Sequence, residues 1–149
     1  MCIRDSPWLA HVSAAEGLYV AEYIANLNPK KIDYSCIPAC TYSKPEVASI
    51  GMTKKQLDKK GIEYNTAKSF FNSNGKAVAT GGTDGFIKIY IGKDNLILGA
   101  HIIGSNATEM ISEFSLAMRN QLTVDNILDT IHPHPTFSEA IFETLMQLK

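Results

Sequence analysis

The chain has 149 residues, enough for one ordinary globular domain or for one domain joined to part of a neighbour. Hydrophobic residues make up 45% and charged residues 19%, which excludes a disordered polymer, and a domain this long buries about 70% of its unfolded surface without needing disulfides or metals. The net charge of -1 offers no electrostatic attraction to nucleic acid or to an anionic membrane.

No apolar run approaches the roughly 20 residues that cross a bilayer. The stretch Met1-Cys-Ile-Arg-Asp-Ser6 lacks the apolar core of a secretory signal. The three cysteines form an odd set, and the three residues between Cys36 and Cys40 match neither a C-x-x-C redox motif nor a zinc knuckle. The thiols therefore read as reduced and structural, in a reducing compartment.

In chain order, Leu9 to Asn26 carries Val12, Ala15, Tyr19, Val20, Tyr23 and Ile24 at helical spacing, and Asn28-Pro29 stops that helix. An extended run over Cys36 to Tyr42 follows, with Val47 to Gly51 as its partner strand. Thr53 caps a predicted helix through Lys60, and Gly61 ends it. Ile62 to Phe71 reads as a strand, while 72–75 and 80–85 read as turning segments. Phe86 to Ile91 and Leu96 to Ile103, linked through Gly-Lys-Asp-Asn, predict a hairpin.

Ser105 or Asn106 then caps an amphipathic helix with Ala107, Met110, Ile111, Phe114 and Met118 on one face. A short helix is predicted over Thr123 to Asp129. A last one runs from Phe137 to Leu148, with Ile141, Leu145 and Leu148 in one stripe. A helix, a run of strands and then a run of helices argue for an α+β fold with a mainly antiparallel sheet and flanking helices. No Gly-x-Gly-x-x-Gly lies between a strand and a helix, so a Rossmann unit is not supported.

Chemistry concentrates in Thr130-Ile-His-Pro-His-Pro-Thr-Phe-Ser-Glu139. Each histidine precedes a proline and is held out of helical geometry, so the imidazoles project from a stiff loop. Thr136-Phe-Ser-Glu139 also has the form of a capping box for the last helix. In a functional reading, His134 is a general base, because imidazole titrates near neutral pH, and Glu139 is the carboxylate that orients it. In a structural reading, Glu139 caps the helix and both histidines are turn residues. The two readings are compatible, and the residue pattern alone does not separate His132 from His134. His101 reads as a packed or interface histidine, and His11 as a surface residue. Lys88 points away from the face shared by Ile87 and Ile89. Glu109 and Glu113 are a solvated pair, or one relieved across an interface.

Taken together, the motifs resemble the pyridine nucleotide-disulfide oxidoreductases, and among them the dihydrolipoamide dehydrogenase family most closely. The matching stretches are Pro7-Trp-Leu-Ala-His11 with Glu16-Gly17, Ile37-Pro-Ala-Cys-Thr-Tyr42 with Pro45-Glu-Val-Ala-Ser-Ile-Gly51, Gly85-Phe-Ile-Lys88, and Gly99-Ala-His-Ile-Ile-Gly104 running into Ala107-Thr-Glu-Met-Ile111. His132-Pro-His-Pro-Thr-Phe-Ser-Glu139 completes the set. The double His-Pro form favours the lipoamide enzymes over glutathione reductases, and histidine argues against mercuric reductases.

This resemblance implies that residues 1–31 are the end of an FAD-binding domain and residues 32–149 an interface domain. It implies His134 as the base, Glu139 as its partner, and a cis His134–Pro135 peptide whose backbone nears the flavin of the other subunit. Ala10 becomes a flavin contact, with Leu9 and His11 beside it. The implied cofactors are FAD and NAD, held mainly by domains outside this chain. The implied partners are a second copy of the chain and lipoamide on an acyltransferase or carrier protein of a 2-oxoacid dehydrogenase or glycine cleavage complex. The implied compartment is the bacterial cytoplasm or the mitochondrial matrix.

The family's redox disulfide and Gly-rich nucleotide motifs are absent, and Asp5 stands too close to Pro7 to be the flavin-binding aspartate. The chain therefore reads as part of a longer enzyme, inactive alone. A free-standing dimerisation module and a glutathione-reductase-like enzyme are the alternatives.

Overall fold

The computed structural model describes residues 7–149; Met1 to Ser6, and with them Asp5 and Cys2, lie outside the described residues. The chain divides into two compact units, residues 1–37 and 38–149. No helix among the described residues is long and apolar enough to cross a membrane.

The first unit carries α1 (Ala10–Ile24). Val12 is its buried residue, whereas Leu18, Tyr23 and Ile24 are exposed. A 3-10 turn over Tyr34–Cys36 follows, because the Asp33 carboxylate accepts the Ser35 N–H at 2.9 Å and its hydroxyl at 2.6 Å. Cys36, expected to open a strand, sits in this turn instead. Cys36 and Cys40 are both half-buried.

The second unit is a five-stranded antiparallel sheet in the order β1-β2-β5-β4-β3. Its strands are β1 (Ala39–Thr41), β2 (Glu46–Gly51), β3 (Tyr64–Phe70), β4 (Gly85–Gly92) and β5 (Ile97–Gly104). Its helices are α2 (Lys54–Lys60), α3 (Gly75–Thr80), α4 (Ala107–Arg119), α5 (Val124–Leu128) and α6 (Glu139–Met146). The expected hairpin is β4–β5, and the expected pairing of the first two strands is present, with Cys40 opposite Ala48.

Register explains which side is the core. Ala48, Ile102 and Ile87 lie opposite one another across three strands, as do Ile50, Ala100 and Ile89, and all six are at most 2% exposed. Strand side chains alternate between faces, so these rows make one apolar face. Helix α4 covers it over β2 and β5, and α6 covers it over β3 and β4. Met110, Ile111 and Phe114 from α4 and Ile141 and Leu145 from α6 are buried there. A residue at this depth contributes about 1.5–3 kcal/mol by leaving water. On the opposite face stands the row Ser49, His101, Lys88 and Lys68. As expected, Lys88 lies away from Ile87 and Ile89, and its Nζ sits 5.6 Å from the centre of the Phe86 ring.

Local chemistry explains the departures from expectation. Thr53 and Gln56 form a full capping box on α2. Gly61 ends that helix with φ +63, and the Ile62 N–H bonds back to Leu57, so β3 starts only at Tyr64. Between the two segments expected to turn, 72–75 and 80–85, the chain forms α3, held by the Asn74 side chain at one end and by Gly81 in left-handed geometry at the other. Asn106 precedes α4 with φ +60, and its side chain does not cap; the Glu46 carboxylate accepts the Thr108 N–H at 3.0 Å and its hydroxyl at 2.8 Å instead. Ala117 rather than Met118 completes the buried face of α4. Helix α6 begins at Glu139 and ends before Leu148, which is 37% exposed. Thr144 takes the buried place expected of Leu148 and pairs with the Ser69 hydroxyl.

Candidate functional site

The loop from Thr130 to Ser138 is anchored by packing on one side and by hydrogen bonds on the other. Phe137, 6% exposed, meets Phe71 edge to face with ring centres 5.8 Å apart. Gly104, at φ +142, lies where any Cβ would collide with the Phe71 ring, so the glycine at the end of β5 makes room for the aromatic pair. This pair fixes the chain immediately after the His-Pro segment.

On that loop the structure brings His134 and Glu139 together, with Nδ1 2.8 Å from Oε1. The other carboxylate oxygen, Oε2, accepts the Thr136 N–H at 2.7 Å. Half of the predicted capping box is therefore present. The other half is not, because the Thr136 hydroxyl donates to the Pro133 carbonyl at 2.7 Å and the helix starts after Ser138. The Thr136 amide, and then the His134 ring, hold the Glu139 carboxyl below the usual carboxylate range. An ionised carboxylate only accepts, so Nδ1 carries the hydrogen, and in the neutral ring the lone pair is then on Nε2. The His134 side chain is 77% exposed and that of Glu139 22%. An exposed imidazole with a fixed tautomer and a basic outer nitrogen is equipped to take a proton from a bound molecule. The His134–Pro135 peptide is cis.

His132 is built differently. Its Nε2 lies 2.8 Å from Oε1 of Glu113 on α4, its Nδ1 lies 3.0 Å from the Thr130 carbonyl, and its side chain is 8% exposed. Both ring nitrogens are engaged within the fold, so the structure separates two histidines that the residue pattern left equivalent. Glu113, read from its spacing as a solvated or interface residue, is the partner. His101 is a packed histidine: its Nε2 lies 3.2 Å from the Met52 carbonyl and its ring meets Tyr90 edge-on. Burial pushes its pKa down, against the Met52 hydrogen bond and with Lys88 adding to the fall.

Leu9, Ala10 and His11 lie in the first unit, at the start of α1. Leu9 is half-buried, and Ala10 and His11 are exposed. Among the described residues, no group of three or more acidic, histidine or cysteine side chains is arranged to hold a metal ion. Reasoning from the residues alone missed Asn74, whose amide reaches the Thr136 carbonyl at 3.1 Å; the Asn-Gly pair at 74–75 gave only a turn signal.

A family model described as the pyridine nucleotide-disulphide oxidoreductase dimerisation domain matches residues 37–145, and with this sheet, its helices and the His-Pro loop the chain belongs to that family. Its relatives include two dihydrolipoyl dehydrogenases, 44% identical in Bacillus subtilis and 45% in Geobacillus stearothermophilus, each match covering 95% of this chain and 30% of the relative. A mitochondrial dihydrolipoyl dehydrogenase of Caenorhabditis elegans is 41% identical, over 95% of this chain and 28% of its own. The chain thus spans about 30% of the length of the curated relatives it matches. Among solved structures, LpdA from Mycobacterium tuberculosis superposes with a TM-score of 0.88 at 23% identity, covering 95% of this chain and 31% of that one. The flavoprotein disulfide reductase RclA from Escherichia coli gives 0.85 at 21% identity, covering 95% and 33%. These two likenesses speak to the fold.

Proposed function

We propose that this chain supplies the dimer-forming domain and the acid–base pair of an FAD-dependent dihydrolipoamide dehydrogenase with NAD as final acceptor. The observation that carries this reading is the 2.8 Å contact between His134 Nδ1 and Glu139 Oε1 in a chain similar to enzymes of that name.

A thiol is a poor nucleophile and its thiolate a good one. In this reading His134 Nε2 takes the proton of a dihydrolipoamide thiol, and the S–H bond's electron pair stays on sulfur. Glu139 stabilises the imidazolium so formed through Nδ1. The charged ring then sits beside the sulfur anions of the exchange and lowers their energy. The base of one protomer serves the disulfide of its partner, so the homodimer completes the site. FAD, when bound, supplies the electron relay to NAD. The start of α1 fits such a group: the Ala10 N–H lies in the first helical turn, where no intrahelical acceptor exists, and its side chain is small and exposed. Leu9 and His11 beside it, and the His134–Pro135 backbone of the partner copy, would complete those contacts.

Lipoamide carried on the acyltransferase or carrier protein of a 2-oxoacid dehydrogenase or glycine cleavage complex is the proposed substrate. The bacterial cytoplasm or the mitochondrial matrix is the proposed setting, by analogy with relatives of both origins.

A chimera tests this reading. Residues 38–149 replace the equivalent segment of the Geobacillus stearothermophilus relative, and oxidation of dihydrolipoamide by NAD is followed. Turnover is retained in the chimera, and His134→Gln lowers it by at least ~100-fold, the usual share of a general base. His132→Gln costs much less. Equal losses in the two variants, or none in His134→Gln, overturn the assignment.

A further inference from the structure

We infer that Asn74 is a positioning residue for the acid–base pair: its buried amide holds Thr136, and Thr136 in turn sets the Glu139 carboxylate against His134. The inference rests on the reading of His134 and Glu139 given above.

Asn74 is 1% exposed. A primary amide at that depth must have its polar atoms paired, since an orphaned one costs about 1–3 kcal/mol. Its Oδ1 accepts the Ala77 N–H at 3.0 Å and caps α3. Its Nδ2 donates to the Thr136 carbonyl at 3.1 Å, joining points 62 residues apart in the chain. Thr136 is thereby held at three places, through this carbonyl, through its hydroxyl on Pro133 and through its N–H on Glu139. Because a carboxylate is rigid, fixing Oε2 on the Thr136 N–H also fixes Oε1, which bonds His134. The relay therefore runs from a buried amide, through one backbone residue and one carboxylate, to an exposed imidazole.

The choice of side chain at 74 separates this role from simple capping. Serine, aspartate and asparagine cap helices about equally well. Only asparagine both caps α3 and offers an N–H long enough to reach Thr136. Asn74→Ser keeps a neutral cap and loses the reach. Asn74→Asp keeps the cap and the reach but turns the donor into an acceptor.

The test uses the 149-residue chain labelled with nitrogen-15 and carbon-13. Long-range proton–nitrogen spectra report the tautomer of neutral His134, and the Glu139 carboxyl carbon reports its titration. In the unmodified chain the Nδ1–H tautomer dominates. Both Asn74 variants lower its share towards the free-imidazole mixture and shift the Glu139 midpoint upward, towards the ordinary range. Glu139→Gln is the reference, and it too abolishes the Nδ1–H preference. If Glu139→Gln moves the tautomer while the Asn74 variants leave both signals in place, Asn74 only caps and the inference fails alone. Should Glu139→Gln leave the tautomer unchanged, the pair itself is unformed and the functional reading falls with it. A scalar coupling across the bond from Asn74 Nδ2 to the Thr136 carbonyl carbon is expected in the unmodified chain. Its absence overturns the inference whatever the folding of the variants.

Discussion

The Glu113 carboxylate and the His132 imidazole meet at 2.8 Å between Oε1 and Nε2, tying the middle of α4 to the loop that presents His134. Two adjacent His-Pro steps thus divide the work. The first is anchored in the subunit, and the second is left with 77% of its side chain in solvent.

That division predicts unequal stability effects. His132→Ala removes both ring-nitrogen contacts and leaves the Glu113 carboxylate, 29% exposed, without its partner. Urea titration should show a loss of about 1–3 kcal/mol. His134→Gln, on an exposed ring, should stay within about 0.5 kcal/mol of the parent. Equal stability losses would mean that the two rings are held alike.

His101 should make stability depend on pH. Burial holds its folded pKa below the ordinary value of 6.5, so the folded state resists protonation more than the unfolded one. The stability from the neutral ring is therefore complete above the unfolded pKa and is lost as pH falls through the folded pKa. The urea midpoint should be level above pH 6.5 and decline below it. His101→Gln, which keeps a donor for the Met52 carbonyl, should remove that part of the slope. An unchanged slope would assign it elsewhere.

The Ser69 and Thr144 hydroxyls, 7% and 0% exposed, bond to each other between β3 and α6. Thr144→Val strands the Ser69 hydroxyl and should cost about 1–3 kcal/mol, whereas adding Ser69→Ala should recover most of that loss, because an apolar pair leaves nothing unsatisfied. Additive losses in the double-mutant cycle would show that the two hydroxyls act independently.

Much of the architecture was legible in the residues. The runs Phe86 to Ile91 and Leu96 to Ile103, rich in β-branched residues and joined through Gly-Lys-Asp-Asn, place β4 and β5, and Ala107, Met110, Ile111 and Phe114 place α4 by a period near 3.6. Helix α3 was not legible: Gly75-Lys-Ala-Val-Ala-Thr80 is short and starts with glycine, and it stands because Asn74 and Gly81 close its ends and Ala77 is fully buried. Cys36 and Asn106 also departed from expectation, since the Asp33 and Glu46 carboxylates supplied the local hydrogen bonds.

By itself the sequence determined the strand and helix periods, the proline-stiffened loop, and a glutamate three residues after Thr136 that reaches back to it, because these depend on neighbours within a few positions. Only the tertiary structure decided which histidine is anchored and which faces outward, and what holds Thr136 from behind. Glu113 lies 19 residues from His132, and Asn74 lies 62 from Thr136. Hydrogen bonds of that span form only after the sheet has paired and its helices have packed, so no local pattern encodes them.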